Sequence, residues 1–293
     1  MSRTELLLWL ADELRRLRGS HSRTEAAHRL ATTSGHIGHL ETGRNPPTRM
    51  DIEGLLELYE ARDQLDRLSA IRDASKRAED WWAGDTDLLQ SPVQAWLGLE
   101  SVAARIHTFD SHVIPVLLQV TAYNEAALPT HLGRDQVRRL AALDRSRQAI
   151  QEERPAEQWA IIDEQVLYRV AGDATVMKEQ LAHLVQSSRQ PHVTIRILPR
   201  DRGLHDCTDA AFAIATMPTH FGPHPGGAFV PSQLHRGWMQ NPQAKEINAV
   251  RQGACYRRPR EVETFRAIWD RVCEQTLEPD ESREVIAQAA QHW

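Results

Sequence analysis

Along the first 75 residues the apolar positions recur every three or four residues, in short bursts separated by turn formers. Leu7, Leu10, Leu14 and Leu17 form one such stripe and predict a first helix that Gly19 ends. Ser22-Arg23-Thr24-Glu25 matches a capping box, in which a hydroxyl and a carboxylate each satisfy an otherwise unpaired backbone N–H. A second helix should start there, with Ala26, Ala27 and Leu30 turned inward. After a turn at Ala31-Thr32, Thr33 or Ser34 can cap a third helix. Thr48 with Asp51 opens a fourth, striped by Ile52, Leu55, Leu56 and Tyr59, and a fifth falls near Leu65, Leu68 and Ile71. Five short helices with tight turns predict a compact all-α domain.

The third helix is the unusual one. In "TTSGHIGHLETGRNPPT" (32–48) only Ile37 and Leu40 are available to bury, and Gly35 and Gly38 each weaken a helix by roughly 1 kcal/mol relative to Ala. Gly43 stops it, and Asn45-Pro46-Pro47 blocks any restart. A short helix, a tight turn and a second helix with a sparse apolar face make the helix-turn-helix arrangement. There the second helix lies in the major groove and its first residues meet base edges. A reading helix needs few anchors, and its glycines let backbone approach a nucleic acid closely. Thr33, Ser34, His36 and His39 are left to read bases, with Arg23 and Arg44 placed for phosphates.

From residue 72 the pattern changes, through Trp81-Trp82 to Gly, Asp, Ser and Pro, and the boundary is placed near residue 78. This divides the chain into a helix-turn-helix domain, 1–78, and an effector domain, 79–293. In the latter, 93–108 reads as a helix with Trp96, Leu99, Val102 and Ile106 inward, and 135–150 as a long arginine-rich one. Residues 158–170 and 192–200 read as strands by β-branched content and alternation. "AAFAIATMP" and "GACYRRP" supply further strands, 176–188 and 261–275 further helices. The expected class is α+β: an all-α five-helix domain, then a larger mixed domain with one modest sheet.

Composition narrows the partners. No run approaches the roughly 18 apolar residues of a membrane span, and the N-terminal helix pattern is not a signal peptide. Three cysteines without a C-x-x-C pair suit reduced thiols and a cytoplasmic location. A net charge of −5 argues against a chain coated for nucleic acid, but the excess up to Arg49 is basic.

Residues 10–60 resemble the lambda-repressor-like, XRE-type helix-turn-helix family, through "LRRLR" (14–18), "EAAHRL" (25–30) and above all "IGHLETGRNPPT" (37–48). The family's usual Gln is Arg23 here. Farther on, "DWW" (80–82), "GLESVAARI" (98–106), "IPVLLQ" (114–119), "IIDEQVLYR" (161–169) and 177–205 resemble the C-terminal domain of a group of actinobacterial XRE-type regulators. The resemblance implies a regulator that binds duplex DNA, commonly as a homodimer, with a module for sensing a small-molecule effector or a small partner protein. Two other functions are weighed against it. One is an enzyme of specialised metabolism on a regulator scaffold whose reading helix has decayed; the other is an antitoxin-like partner-binding protein.

Aromatic walls with convergent polar groups suit a small-molecule pocket, and Trp82, Trp96, Glu100, Arg105, Gln119 and His205 are the candidate lining. His205, Asp206, Cys207, Asp209, His220, His224 and His235 include zinc-ligand types, but no established spacing links them. Gly and Pro favour a polar loop whose histidines are solvated or cap backbone groups, so neither a metal, a cofactor nor a catalytic residue is assigned.

Overall fold

A computed structural model describes residues 2–128, 132–207, 211–219, 224, 226–231 and 253–293. They fall into two compact units, Met1–Trp81 with Pro218–His224, and Trp82–Met217 with Pro225–Trp293.

In the first unit five helices follow one another: α1 (Arg3–Arg18), α2 (Arg23–Arg29), α3 (Ser34–Leu40), α4 (Arg49–Leu58) and α5 (Leu65–Arg77). Both expected caps form, Ser22 with Glu25 and Thr48 with Asp51, and Thr33 caps α3. The buried stripe of α1 differs from the expected one: it is Leu6, Trp9, Leu10 and Leu14, with Leu7 and Leu17 only half-buried. Trp9 is among the largest fully buried side chains of the chain, and seating it rotates the helix away from the leucine-only stripe. Helices α2 and α4 approach so closely that a Cβ on Gly54 would sit 2.7 Å from Leu30 Cδ2. Glu13, buried on α1, is held by Arg16 and by Arg67 of α5. Burial alone would raise its pKa, but the two guanidinium groups hold it below the usual carboxylate range. Within the same unit the ring of His224 meets Trp9 edge-on at 4.7 Å and its Nε2 lies 3.8 Å from the Glu5 carboxylate.

The second unit is a six-stranded sheet with helices on both faces. Its strands are β1 (Arg105–Asp110), β2 (Glu157–Asp163), β3 (Val193–Leu198), β4 (Phe212–Thr216), β5 (Gly227–Pro231) and β6 (Gly253–Tyr256), in the order β3-β2-β1-β4-β5-β6. The first three are parallel and the last three pair antiparallel. The helices are α6 (Ser91–Glu100), α7 (Thr121–Ala127), α8 (Arg134–Glu153), α9 (Ala174–Ser187), α10 (Pro259–Cys273) and α11 (Pro279–His292). Ala160, Ile162, Ile195 and Ile197 pack on α9 and α11 through Met177, Leu181, Leu184 and Ile286. On the other face Phe109, Ile161 and Ile214 pack on Val262, Trp269 and Val272 of α10. The α+β class is as expected.

Three local expectations fail. Ile106 lies on β1, not on a helix: α6 ends at Glu100, and 105–110 pairs with β2 on one side and β4 on the other. The strand beginning at 158 stops at Asp163, whose carboxylate accepts from Gln165 N and caps a 3-10 turn over Glu164–Tyr168. Gly227–Pro231, which reads as polar loop, is a strand between β4 and β6. A Cβ on Gly227 would meet Leu99 Cδ1 at 2.3 Å, so the glycine that disguises the strand lets α6 pack on it.

Inside this unit runs a buried polar chain. Trp96 Nε1 donates to Glu100 at 3.1 Å, and Arg147 of α8 grips both Glu100 oxygens at 2.7 and 2.8 Å. Arg147 also reaches Asp144 at 3.2 Å; Asp144 accepts from Asn124, which donates to Gln119 as well. Burial works against the Arg147 charge, but Glu100 and Asp144 outweigh it and hold its pKa above the ordinary value. Arg147→Met should therefore strand two buried carboxylates and cost about 3–5 kcal/mol in denaturant unfolding. A loss under about 1 kcal/mol would mean that water reaches the site and screens the pair.

Candidate nucleic-acid interface

The helix-turn-helix geometry is set by one carboxylate. Glu41, at the C-terminal end of α3, has a side chain only 2% exposed. It accepts from Arg18 at the end of α1 and, at 2.8 Å, from Arg23 at the start of α2. Arg18 also donates to His21 O, closing the turn between α1 and α2. Between α2 and α3 the chain turns through Ala31, a non-glycine residue at φ 50°, and Thr32 N donates back to Ala27 O at 2.9 Å. Gly43, at φ 69°, ends α3 where a side chain would crowd Leu8. Ile37 and Leu40 are the two buried anchors of α3, as the sequence implies.

What α3 leaves outward is Thr33, Ser34 and Gly35, exposed, with His36, Gly38 and His39 half-exposed. Arg44 is exposed, lies 3.4 Å from His39 Nε2 and has no carboxylate partner among the described residues. Arg23 is different: 47% of its side chain is exposed, but its Nε is committed to Glu41. Neither α3 glycine answers a packing need. A Cβ on Gly35 would meet only Thr33 Oγ1 at 3.8 Å, and one on Gly38 only the Arg23 guanidinium at 3.8 Å.

The six residues expected to line an effector pocket are placed variously. Trp96, Glu100 and Gln119 are joined through the buried polar chain, where their polar groups bond to other residues of the fold. Trp82 is buried. Arg105 is exposed at the start of β1 and pairs with Glu157 at 2.6 Å. His205 stands elsewhere, with its Nε2 3.7 Å from Asp163 at the end of β2 and its ring edge-on to Phe109. The side chains of His205 and His224 are 5% and 4% exposed, so neither is solvated, whereas His205 Nδ1 accepts from the backbone N–H of Cys207 at 3.2 Å, the capping role that is the other expectation. Asp209, His220 and His235 lie outside the described residues.

Residues 9–68 match the model of a helix-turn-helix domain. Residues 93–288, more than half of the chain, match the model of a domain of unknown function, DUF5753. The chain belongs to that family. No curated protein and no solved structure matches it. The helix-turn-helix domain marks the protein as a DNA-binding regulator. Among the described residues no helix is long and apolar enough to cross a membrane, and no three His, Cys, Asp or Glu gather to hold a metal ion.

In the DUF5753 domain, titratable groups collect at the carboxyl ends of the parallel strands, where α/β sheets often bind ligands. Asp110 ends β1, Asp163 ends β2, and His205 follows β3. Sequence reading singled out only the histidine, although "WAIID" closes an apolar run with a carboxylate. The Cys207 thiol is pushed up to about 12, by burial and then by Asp206, so it is protonated at neutral pH and a poor nucleophile. Burial pushes Asp110 up to about 6, against the His112 and Val113 N–H groups it accepts and the Arg169 charge. A carboxyl whose folded pKa is raised binds its proton more tightly folded than unfolded. Its contribution to stability is therefore present at low pH and lost as pH rises from about 4 to about 6. Asp110→Asn keeps both accepted bonds and removes the titration. It should be more stable than the wild type at pH 7, by up to about 3 kcal/mol, and indistinguishable near pH 3.5. Equal stability at both pH values would show that Asp110 is solvated.

Proposed function

We propose that this protein is a transcription regulator of the lambda-repressor-like, XRE-type kind that binds duplex DNA as a homodimer, with α3 in the major groove of each half-site. The DUF5753 domain then adjusts DNA affinity when it binds a small molecule or a partner protein. The supporting observation is the state of α3: anchored by two residues, fixed by Glu41, and carrying two glycines that no internal contact requires. Such glycines cost stability, and close backbone approach to DNA is a use that offsets the cost. Ser34, His36 and His39 supply the hydrogen-bonding groups for base edges, with Thr33 at the cap and Arg44 for phosphate. Any effector must bind the DNA-competent and DNA-incompetent states with different affinity, or it shifts nothing.

Gly38→Ala separates folding from function, because its two effects have opposite sign. It should stabilise the protein by up to about 1 kcal/mol in thermal or denaturant unfolding, while weakening DNA binding in a shift assay. Stabilisation with unchanged DNA affinity would remove α3 from the interface.

Arg44→Ala should weaken binding to all duplexes alike and reduce the slope of log K against log salt by about 1. His36→Ala should instead redistribute preference among sequences. Arg23→Ala is a mixed test, since it also takes one of the two cations from buried Glu41. A wild-type protein with no duplex affinity above background at low salt would end this assignment.

A further inference from the structure

A cavity of about 550 Å³ opens in the DUF5753 domain, where the first residues of β2 and β3 meet the last turns of α8 and α9. None of the six residues expected to contact an effector lines it except Gln119. Gln158 determines its chemistry. It is the second residue of β2, on the face whose next members, Ala160 and Ile162, belong to the core. Its own exposure is 9%, yet its side-chain amide has no hydrogen-bond partner among the described residues, while its backbone N–H donates to His192 O. The fold makes no use of that amide, and it lines the cavity at an otherwise core-facing position, where its donor and acceptor are open to a ligand.

The rest of the lining points to what that ligand carries. Gln148 donates its amide hydrogens to Val116 O and Gln119 O, leaving its Oε1 to accept. Glu152 and Glu179 add two carboxylates, and neither has an ion-pair partner among the described residues. His183 is kept toward its neutral form by burial, which outweighs the pull of Glu179, and its Nε2 faces Ser187 Oγ at 3.3 Å. No Arg or Lys lines the cavity. The two glutamates make its charge negative, so phosphate, sulfate and carboxylate ligands meet repulsion.

We propose that this cavity binds a small ammonium compound rich in hydrogen-bond donors, a linear polyamine or an amino sugar, with the ammonium between Glu152 and Glu179 and a donor–acceptor pair on the Gln158 amide. This names the ligand class for the sensing role proposed above and rests on that role only for its effect on DNA. Gln158 supplies directional recognition and the two glutamates supply charge, the usual division of labour in a polar small-molecule site.

Titration calorimetry on the full chain tests it, with spermidine and glucosamine as the two amine probes and glucose, glutamate and adenosine monophosphate as controls. One of the amines should bind saturably with one site per chain, and the one that does identifies the source. Glu179→Gln and Gln158→Met should each weaken that binding about tenfold. Gln158→Met should fold with stability close to that of the wild type, because no side-chain hydrogen bond of the fold is lost and the new group is of similar size. Asp135→Asn, at the far end of α8 roughly 20 Å away, should leave binding unchanged and exclude loose attraction to an acidic surface. Failure of both amines to bind, equal binding by all the variants, or tighter binding of an anionic probe would overturn the proposal. Amine binding with this variant pattern but no change in DNA affinity would leave the site standing and remove the sensing role.

Discussion

A carboxylate taken out of water is costly unless paired, and in both units of this protein arginine pairs several of them. Glu41 lies between Arg18 and Arg23, Glu13 between Arg16 and Arg67, and Glu100 and Asp144 share Arg147. Arg18 and Arg23 on Glu41, Arg67 on Glu13 and Arg147 on Glu100 join elements distant in sequence, so each of these contacts fixes a relative orientation that apolar packing alone leaves less defined. Arginine suits the task because its planar fork meets both oxygens of a carboxylate and keeps its charge when buried. The chain holds only three lysines, Lys76, Lys178 and Lys245, and the arginine excess reads at first as a trivial effect of composition. The buried pairs show that part of it is structural.

The pair on Glu41 links fold to function. It draws the end of α1, the start of α2 and the end of α3 to one point, so the angle between the two helices of the motif follows from a single charged cluster. Apart from Ile37 and Leu40, the side chains of α3 are then left without a part in the core.

The legible parts of the fold were those with local causes. Both capping boxes, the stop at Gly43 and the Glu41-to-Pro47 run act within a few residues, and the five N-terminal helices follow from them. Where tertiary contacts decided, sequence reading failed. Ile106 continues a helical spacing from Val102, but its backbone is claimed by two neighbouring strands. Gly227 and Pro231 look like loop residues because the signals that they send are those of turns, whereas the strand exists through pairing on both edges. Among candidate ligand contacts, Glu100 stands out as a polar group close to the tryptophans, but in the fold its carboxylate is committed to Trp96 and Arg147. Gln158 passed unnoticed since one polar residue at the mouth of a strand carries no periodicity of its own.

The first unit is not contiguous in the chain, and this bears on how the protein is made. His224 completes the surroundings of Trp9 and Glu5, yet it follows Trp81 by more than 140 residues. At a synthesis rate of about 5–20 residues per second, the N-terminal helices emerge roughly 7–30 s before that ring can join them. A nascent chain therefore holds an unfinished helix-turn-helix unit while most of the sheet is still to be translated. A chain cut after the fifth helix would lack the His224 ring beside Trp9 and Glu5.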